Sequence, residues 1–303
     1  MSLSQRTAID KRIFVTGASR SGTTLLQSLL AGHSNIYTFP ETGVFLKILG
    51  MRRRTPWALA GLSLGREKKT LQKLCNSLQP AADSRMHIDS CLTLKSSAEQ
   101  IVDFLDRLTL DQGKAIWVEK TPRHFKYADI LLRYIPRSHV LHILRDGRDV
   151  VTSIYLRAMR HPEKFDKQLN LHYGIRLWNE AVRKAHSLLD MPGHSTLIYE
   201  DLTRHPERTL HALCAEMDMD FEPEMLRMPH GAYFVKDNES WKQNTDTEVV
   251  TNTSKFASVF DKPTRDWIED KLHLDLYHQL RCSAADRLGH EEPSMTTTVQ
   301  KTI

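Results

Sequence analysis

Residues 14–26 read FVTGASRSGTTLL. An apolar run, a glycine, four residues, a second glycine and an apolar helix-forming segment have the layout of a phosphate-binding loop between a strand and a helix. Gly17 and Gly22 hold the G-x-x-x-x-G spacing, yet Thr23 stands where a Walker A loop carries lysine. That lysine serves the β- and γ-phosphates of a nucleoside triphosphate, alongside a Ser/Thr and an acidic residue on Mg²⁺. Arg20 and the hydroxyls of Ser19, Ser21, Thr23 and Thr24 surround the cradle instead. Converging backbone N–H groups and the positive end of a helix still suit a phosphate. The expected ligand lacks a γ-phosphate and needs no metal. The plainer reading is a glycine turn that only joins strand to helix, and a second anion site would weigh against it.

Residues 142–157, HILRDGRDVVTSIYLR, supply a candidate second site. An apolar strand delivers Arg145, a turn follows at Asp146 and Gly147, and a helix is expected from Asp149. Ser153 and Arg157 are four apart and share a helix face. A guanidinium beside a hydroxyl clamps phosphate well, because its planar fork donates paired charge-assisted hydrogen bonds. The competing reading pairs Arg145 and Arg148 with Asp146 and Asp149 on a solvated turn. Pairing is the expectation for Arg148, and ligand binding for Arg145.

Apolar runs at Arg12–Val15, Ile36–Phe39, Ala115–Val118, His139–Leu144 and Thr196–Tyr199 read as buried strands. Helical periodicity falls at Thr23–Leu30, Ala98–Leu108, Tyr127–Tyr134, Asp149–Arg160 and Leu169–Leu189. This alternation predicts an α/β, P-loop-containing three-layer fold, with a central parallel sheet of about five strands flanked by helices. Ligands then lie beyond the carboxyl ends of the strands. The domain is expected over 1–288, with a mostly helical insertion at 50–113 that shapes a pocket beside the site and carries basic clusters at Met51–Arg54 and Arg66–Lys69. A loop is expected at Asp237–Ser254, one amphipathic helix at Thr264–Arg281 and a disordered tail at 289–303.

Composition narrows the function classes. The chain has 303 residues, a net charge of +5 and 26% charged residues, a mild basicity that a nucleic-acid partner would exceed with a denser stripe. Cys75, Cys91, Cys214 and Cys282 form no C-x-x-C pair, so reduced thiols in a cytoplasm are expected. The polar N-terminus and the lack of a long apolar run predict neither a signal peptide nor a membrane span. His161, His172, His186, His194 and His205 lack metal-ligand spacing. His33 is expected to pack or cap a helix end, and His142 to be buried and neutral.

Two anion sites on separate strand ends, the first without its lysine, resemble the sulfotransferases that use 3'-phosphoadenosine 5'-phosphosulfate. The resemblance implies that Arg20, Ser21, Gly22, Thr23 and Thr24 hold the 5'-phosphosulfate, and that Arg145 and Ser153 hold the 3'-phosphate, with Arg157 on the same helix face. IYEDL at 198–202 looks like the family's Y-E-D/Q-L strand end and implies Tyr199 near the nucleotide. The closest likeness is to the branch of tyrosylprotein sulfotransferases and many bacterial enzymes. There a Glu 21 residues after the loop Arg acts as base, a place held by Glu41 in FPETGVF. WVEKTPRH at 117–124 implies Lys120 at the transferring group, and NTSKF implies Lys255 as a late nucleotide contact.

Bland readings stand beside these. Glu41 can cap the following helix, Lys120 can pair with Glu119 or Asp129, and His124 is a reserve base. The expected activity is sulfuryl transfer to a hydroxyl of a small-molecule, carbohydrate or carrier-bound acceptor. The alternatives are a small-molecule kinase with an altered loop, or a non-catalytic module that binds adenosine 3',5'-bisphosphate. No nucleic-acid or membrane partner is expected, and oligomeric state stays open, with a homodimer among the assemblies that the resemblance implies.

Overall fold

In the computed structural model, five strands lie side by side in the order β2-β3-β1-β4-β5, every neighbouring pair parallel. They are β1 (Lys11–Thr16), β2 (Ile36–Phe39), β3 (Ile116–Lys120), β4 (Ser138–Leu144) and β5 (His194–Ile198). The structure describes residues 8–50, 66–78, 93–227 and 254–287. The 51–54 cluster, most of the loop expected at Asp237–Ser254 and the tail at 289–303 lie outside the described residues.

The helices are α1 (Thr23–Leu30), α2 (Val44–Gly50), α3 (Arg66–Leu78), α4 (Leu94–Asp111), α5 (Ala128–Tyr134), α6 (Gly147–Arg160), α7 (Pro162–Phe165), α8 (Leu171–His186), α9 (Tyr199–Arg204), α10 (Pro206–Glu216), α11 (Phe256–Val259), α12 (Lys262–Lys271) and α13 (Leu274–Arg287). A 3-10 segment at Pro122–Tyr127 joins β3 to α5.

Successive strand residues point to opposite faces of a sheet, and the core divides accordingly. Phe14, Phe39, Trp117 and Val140 pack with apolar residues of α2 to α5 on one side. Ile13, Val15, Val118, Leu141 and Leu197 pack with α1, α9 and α10 on the other. A third cluster joins Leu144 and Ile198 to α6, α8 and the C-terminal helices. Both faces are covered, so the strands read as continuous apolar runs rather than as alternating ones.

The helix expected at 98–108 forms as α4, and one other expectation is corrected. Within the region read as an insertion beside the site, α4 belongs to the layer that covers the sheet. It starts on the Thr93 cap, whose side chain accepts from Ser96 N. Its Ile101, Leu105 and Leu108 are buried on one stripe. Asp106 of α4 binds Arg12 at 2.6 Å and the Trp117 indole N–H at 2.7 Å, tying the helix to β1 and β3.

The single helix expected at Thr264–Arg281 is broken between α12 and α13, where Leu272 is extended. The Asn179 side chain on α8 causes the break. Its Nδ2 donates to Lys271 O at 2.8 Å, and its Oδ1 accepts from His273 N at 3.0 Å. Elsewhere the expected boundaries shift by a few residues: β5 stops at Ile198, and Tyr199 opens α9.

Candidate active site

Parallel strands all end on the same edge, and each of the five delivers a candidate residue there. Arg20 lies in the loop after β1, Glu41 follows β2, Lys120 ends β3, Arg145 follows β4 and Tyr199 follows β5. Since β3 and β4 flank β1, their ends lie about 10 Å apart.

The loop after β1 is shaped by its glycines. Gly22 has φ of 96°, and a Cβ there would meet the Tyr199 ring at 2.3 Å. A Cβ on Gly17 would meet Ile143 O at 2.4 Å. Only glycine lets the loop lie this close to β4 and α9. Gly17 N also donates to Pro122 O at 3.0 Å, which ties the loop to the segment just beyond Lys120. Arg20 itself adopts φ of 75°, a left-handed conformation uncommon outside glycine.

From that conformation Arg20 reaches across to α6, where its Nε donates to Ser153 Oγ at 3.0 Å. The two anion sites inferred separately are thus joined by a hydrogen bond. Burial, followed by the positive charges of Arg157, Arg145 and Arg160, pulls the pKa of Arg20 down to about 10. Like charges gathered at a partly buried point are costly without an anion between them. The Arg145 guanidinium lies 4.6 Å from the centre of the Tyr199 ring, a cation–π contact. The buried Nε of Arg145 and the fully buried Oγ of Ser21 have no hydrogen-bond partner among the described residues. Thr23 is buried at the start of α1, and Thr24 is half-buried.

Part of this charge is balanced within the protein. Arg145 pairs with Asp149 at 3.3 Å, which also accepts from Ser254 Oγ at 2.6 Å. Arg148 turns away to Asp146 at 2.6 Å and Glu269 at 3.5 Å, the turn pairing expected for it. Arg157 donates to Gln168 at 2.6 Å and lies over the Phe165 ring. Lys255 is exposed and immediately follows Ser254, which places it beside the start of α6.

The backbone that presents Arg145 is held on both sides. Trp178 donates its indole N–H to Arg145 O at 2.8 Å. Glu200 accepts from Asp146 N at 3.0 Å and from the Tyr277 hydroxyl at 3.1 Å. Burial pushes the Glu200 carboxyl above the usual range.

At the neighbouring strand ends, Lys120 Nζ donates to Glu41 Oε2 at 2.8 Å. The Lys120 side chain is 1% exposed and that of Glu41 is 35% exposed, so the carboxylate marks where the buried ammonium meets solvent. Of the other partners considered for Lys120, Asp129 binds Lys184 and Glu119 lies 2.9 Å from His124. At the start of α2, Thr42 Oγ1 accepts from Val44 N.

His124, the reserve base, lies away from the Lys120–Glu41 contact, against Glu119 and α2. It is fully buried, with Nδ1 2.9 Å from Glu119 and Nε2 accepting from Leu46 N. His33 accepts from Asn35 N and contacts Asp220 O, closing the end of α1 as expected. His142 is fully buried, with its pKa well below the ordinary value, chiefly through burial.

Sequence reasoning missed Arg160, Glu119 and the Glu200–Tyr277 brace. A charged residue inside the apolar strand IWVEK was the visible trace of Glu119. Among the described residues, no helix is long and apolar enough to cross a membrane, and no group of three His, Cys, Asp or Glu side chains is placed to hold a metal ion.

A parallel sheet carries a lysine-free glycine loop after β1, joined by a hydrogen bond to the arginine-rich start of α6. The chain belongs to the sulfotransferase family, whose pattern it matches over residues 12–223. Protein-tyrosine sulfotransferase 2 of Gallus gallus is 28% identical over 220 residues, 71% of this chain and 53% of that protein. Protein-tyrosine sulfotransferase A of Caenorhabditis elegans is 26% identical, over 71% of this chain and 51% of that protein. The chain thus spans about half the length of these relatives. The fold is shared with the sulfotransferase domain of the Synechococcus PCC 7002 olefin synthase, at 18% identity and a TM-score of 0.56, over 96% of this chain and 99% of that one.

Proposed function

We propose that this chain transfers a sulfuryl group from 3'-phosphoadenosine 5'-phosphosulfate to an acceptor hydroxyl. The observation that carries the reading is Arg20, hydrogen-bonded to Ser153 among the charges of Arg145, Arg157 and Arg160. Such a cluster calls for a ligand with anionic groups at two points, which a 3',5'-bisphosphorylated nucleotide supplies. Ser21 Oγ and Arg145 Nε, both buried without partners among the described residues, fit that ligand as further donors. A mouse sulfotransferase of the same fold, with a TM-score of 0.50 at 12% identity, was solved with PAP. A kinase reading lacks support here, because Thr23 replaces the loop lysine.

In the proposed reaction the residues divide the work. Arg20, Ser21, Gly22, Thr23 and Thr24 hold the phosphosulfate end, while Arg145, Ser153 and Arg157 hold the 3'-phosphate, with Tyr199 and Lys255 beside the nucleotide. Glu41 accepts the acceptor's hydroxyl proton as the new O–S bond forms. The bond from sulfur to the 5'-phosphate oxygen breaks, and its electron pair leaves with adenosine 3',5'-bisphosphate. Lys120 and Arg20 offset the charge that grows on the sulfuryl and bridging oxygens. In-line placement of the attacking and leaving oxygens supplies much of the remaining rate. No step requires a metal, so activity should survive chelation.

The test is transfer of labelled sulfate from the donor to a panel of 4-nitrophenol, a primary alcohol, a hexose and a tyrosine peptide, with EDTA present. Label in any acceptor supports the reading. Tight binding of the bisphosphate with neither acceptor labelling nor donor turnover would leave a binding module instead.

A further inference from the structure

Glu119 is 0% exposed in a strand otherwise built of apolar residues and Lys120. A carboxylate buried so completely costs several kcal/mol unless its lone pairs are satisfied. Oε1 is satisfied from two stretches of chain, at residues 42 and 121. Oε1 accepts from Thr42 N at 3.1 Å, Thr42 Oγ1 at 2.7 Å and Thr121 Oγ1 at 2.7 Å. Oε2 lies 2.9 Å from His124 Nδ1, in contact but outside hydrogen-bond geometry. Since His124 Nε2 accepts from Leu46 N at 3.2 Å, the ring proton belongs on Nδ1, facing Glu119.

Thr121 Oγ1 also accepts from Gly43 N at 3.0 Å. Residues 42, 43 and 46 are therefore all tied to β3 and the turn beyond it. Burial would raise the Glu119 pKa, but His124, Thr121 and Thr42 outweigh it and hold the carboxyl below its ordinary value.

The tied segment is irregular, with Gly43 at φ of 60°, and it begins at the residue directly after Glu41. Lys120, which binds Glu41, directly follows Glu119. We infer that Glu119, through Thr42, Thr121 and His124, is a positioning residue that sets the Glu41 carboxylate at the mouth of the site. The inference rests on the reading of Glu41 as the base. Glu119 touches no reacting atom and acts through the backbone it anchors. A displacement of about 1 Å at a reacting group can cost roughly 100-fold in rate.

Thr42→Val keeps the side-chain shape and removes the hydroxyl's bonds to Glu119 and from Val44 N, while Thr42→Ser keeps the hydroxyl. The rate of bisphosphate release from the donor, with the acceptor panel present, should fall at least tenfold in Thr42→Val and stay within about threefold in Thr42→Ser. Affinity for adenosine 3',5'-bisphosphate should change less than twofold in both. In a Glu41→Gln background, Thr42→Val should have no further effect. An equal loss in both backgrounds would show a general structural role and overturn the proposal, as would an unchanged rate in Thr42→Val alone. If Glu41→Gln by itself leaves the rate unchanged, the base assignment fails separately. A crystal structure of Thr42→Val then decides the positioning claim: separation of Glu41 from Lys120 supports it, and a retained 2.8 Å contact overturns it.

Discussion

Arg20 and Ser153 are 133 residues apart in the chain and 3.0 Å apart in the fold. That contact joins the loop after β1 to α6, and on the proposed function it makes one anion site out of two. Arg20→Ala should weaken binding of adenosine 3',5'-bisphosphate about 100-fold, and Arg20→Lys about tenfold, because an ammonium cannot reproduce the planar fork. Isothermal titration calorimetry reads both. An affinity unchanged in Arg20→Ala would remove Arg20 from the site.

Glu41→Gln keeps the shape of the side chain and removes its basicity. Turnover should fall about 10²- to 10⁴-fold, the usual contribution of a general base. Affinity for the bisphosphate should hold within twofold, since the carboxylate contacts Lys120 rather than the arginine cluster. Steady-state rates with calorimetry on the same sample check the split.

Gly22→Ala puts a Cβ 2.3 Å from the Tyr199 ring on a residue with φ of 96°. Strain and clash together should cost about 3 kcal/mol and lower Tm by roughly 5 °C or more. Bisphosphate binding should weaken as well, because the loop and Tyr199 move apart. Differential scanning fluorimetry with and without the nucleotide separates the two effects.

Acid should destabilise the fold in two windows. Burial, with Lys11 near His139 and Arg287 near His194, lowers the pKa of each of these histidines from 6.5 to about 4. The unfolded chain takes up protons as pH falls past 6.5, while the folded chain excludes them until about 4. Their stabilisation is therefore complete above 6.5 and is lost between there and 4, by up to about 3 kcal/mol each. Glu119 and Asp146 have lowered pKa values despite burial, through His124 and Arg148 respectively, so their contribution disappears at lower pH still. Melting temperatures from pH 8 to 4 should show the first window, and His194→Gln should shrink it. A flat profile down to about pH 4.5 would contradict the assignment.

The strands and the phosphate loop were legible because their signals are local. Ile36–Phe39 has the same limits in sequence and structure, and the glycine spacing at 17 and 22 marks the turn that forms. What escaped depends on partners far along the chain. Residues 262–287 carry no glycine or proline at the break after Lys271, and the interruption comes from Asn179, more than 90 residues earlier. Asn179→Leu should accordingly cost about 2–4 kcal/mol in urea unfolding and leave bisphosphate affinity unchanged. The Glu119 anchor was hidden for the same reason, since Thr42 and Leu46 come from before the long segment that precedes β3.

The most direct test of the account is a crystal structure with adenosine 3',5'-bisphosphate bound. The account predicts the 3'-phosphate between Arg145 and Ser153, the 5'-phosphate in the Gly17–Gly22 loop beside Arg20, and Lys120 facing that phosphate. A nucleotide bound elsewhere, or Arg20 and Arg145 turned to separate cavities, would contradict it.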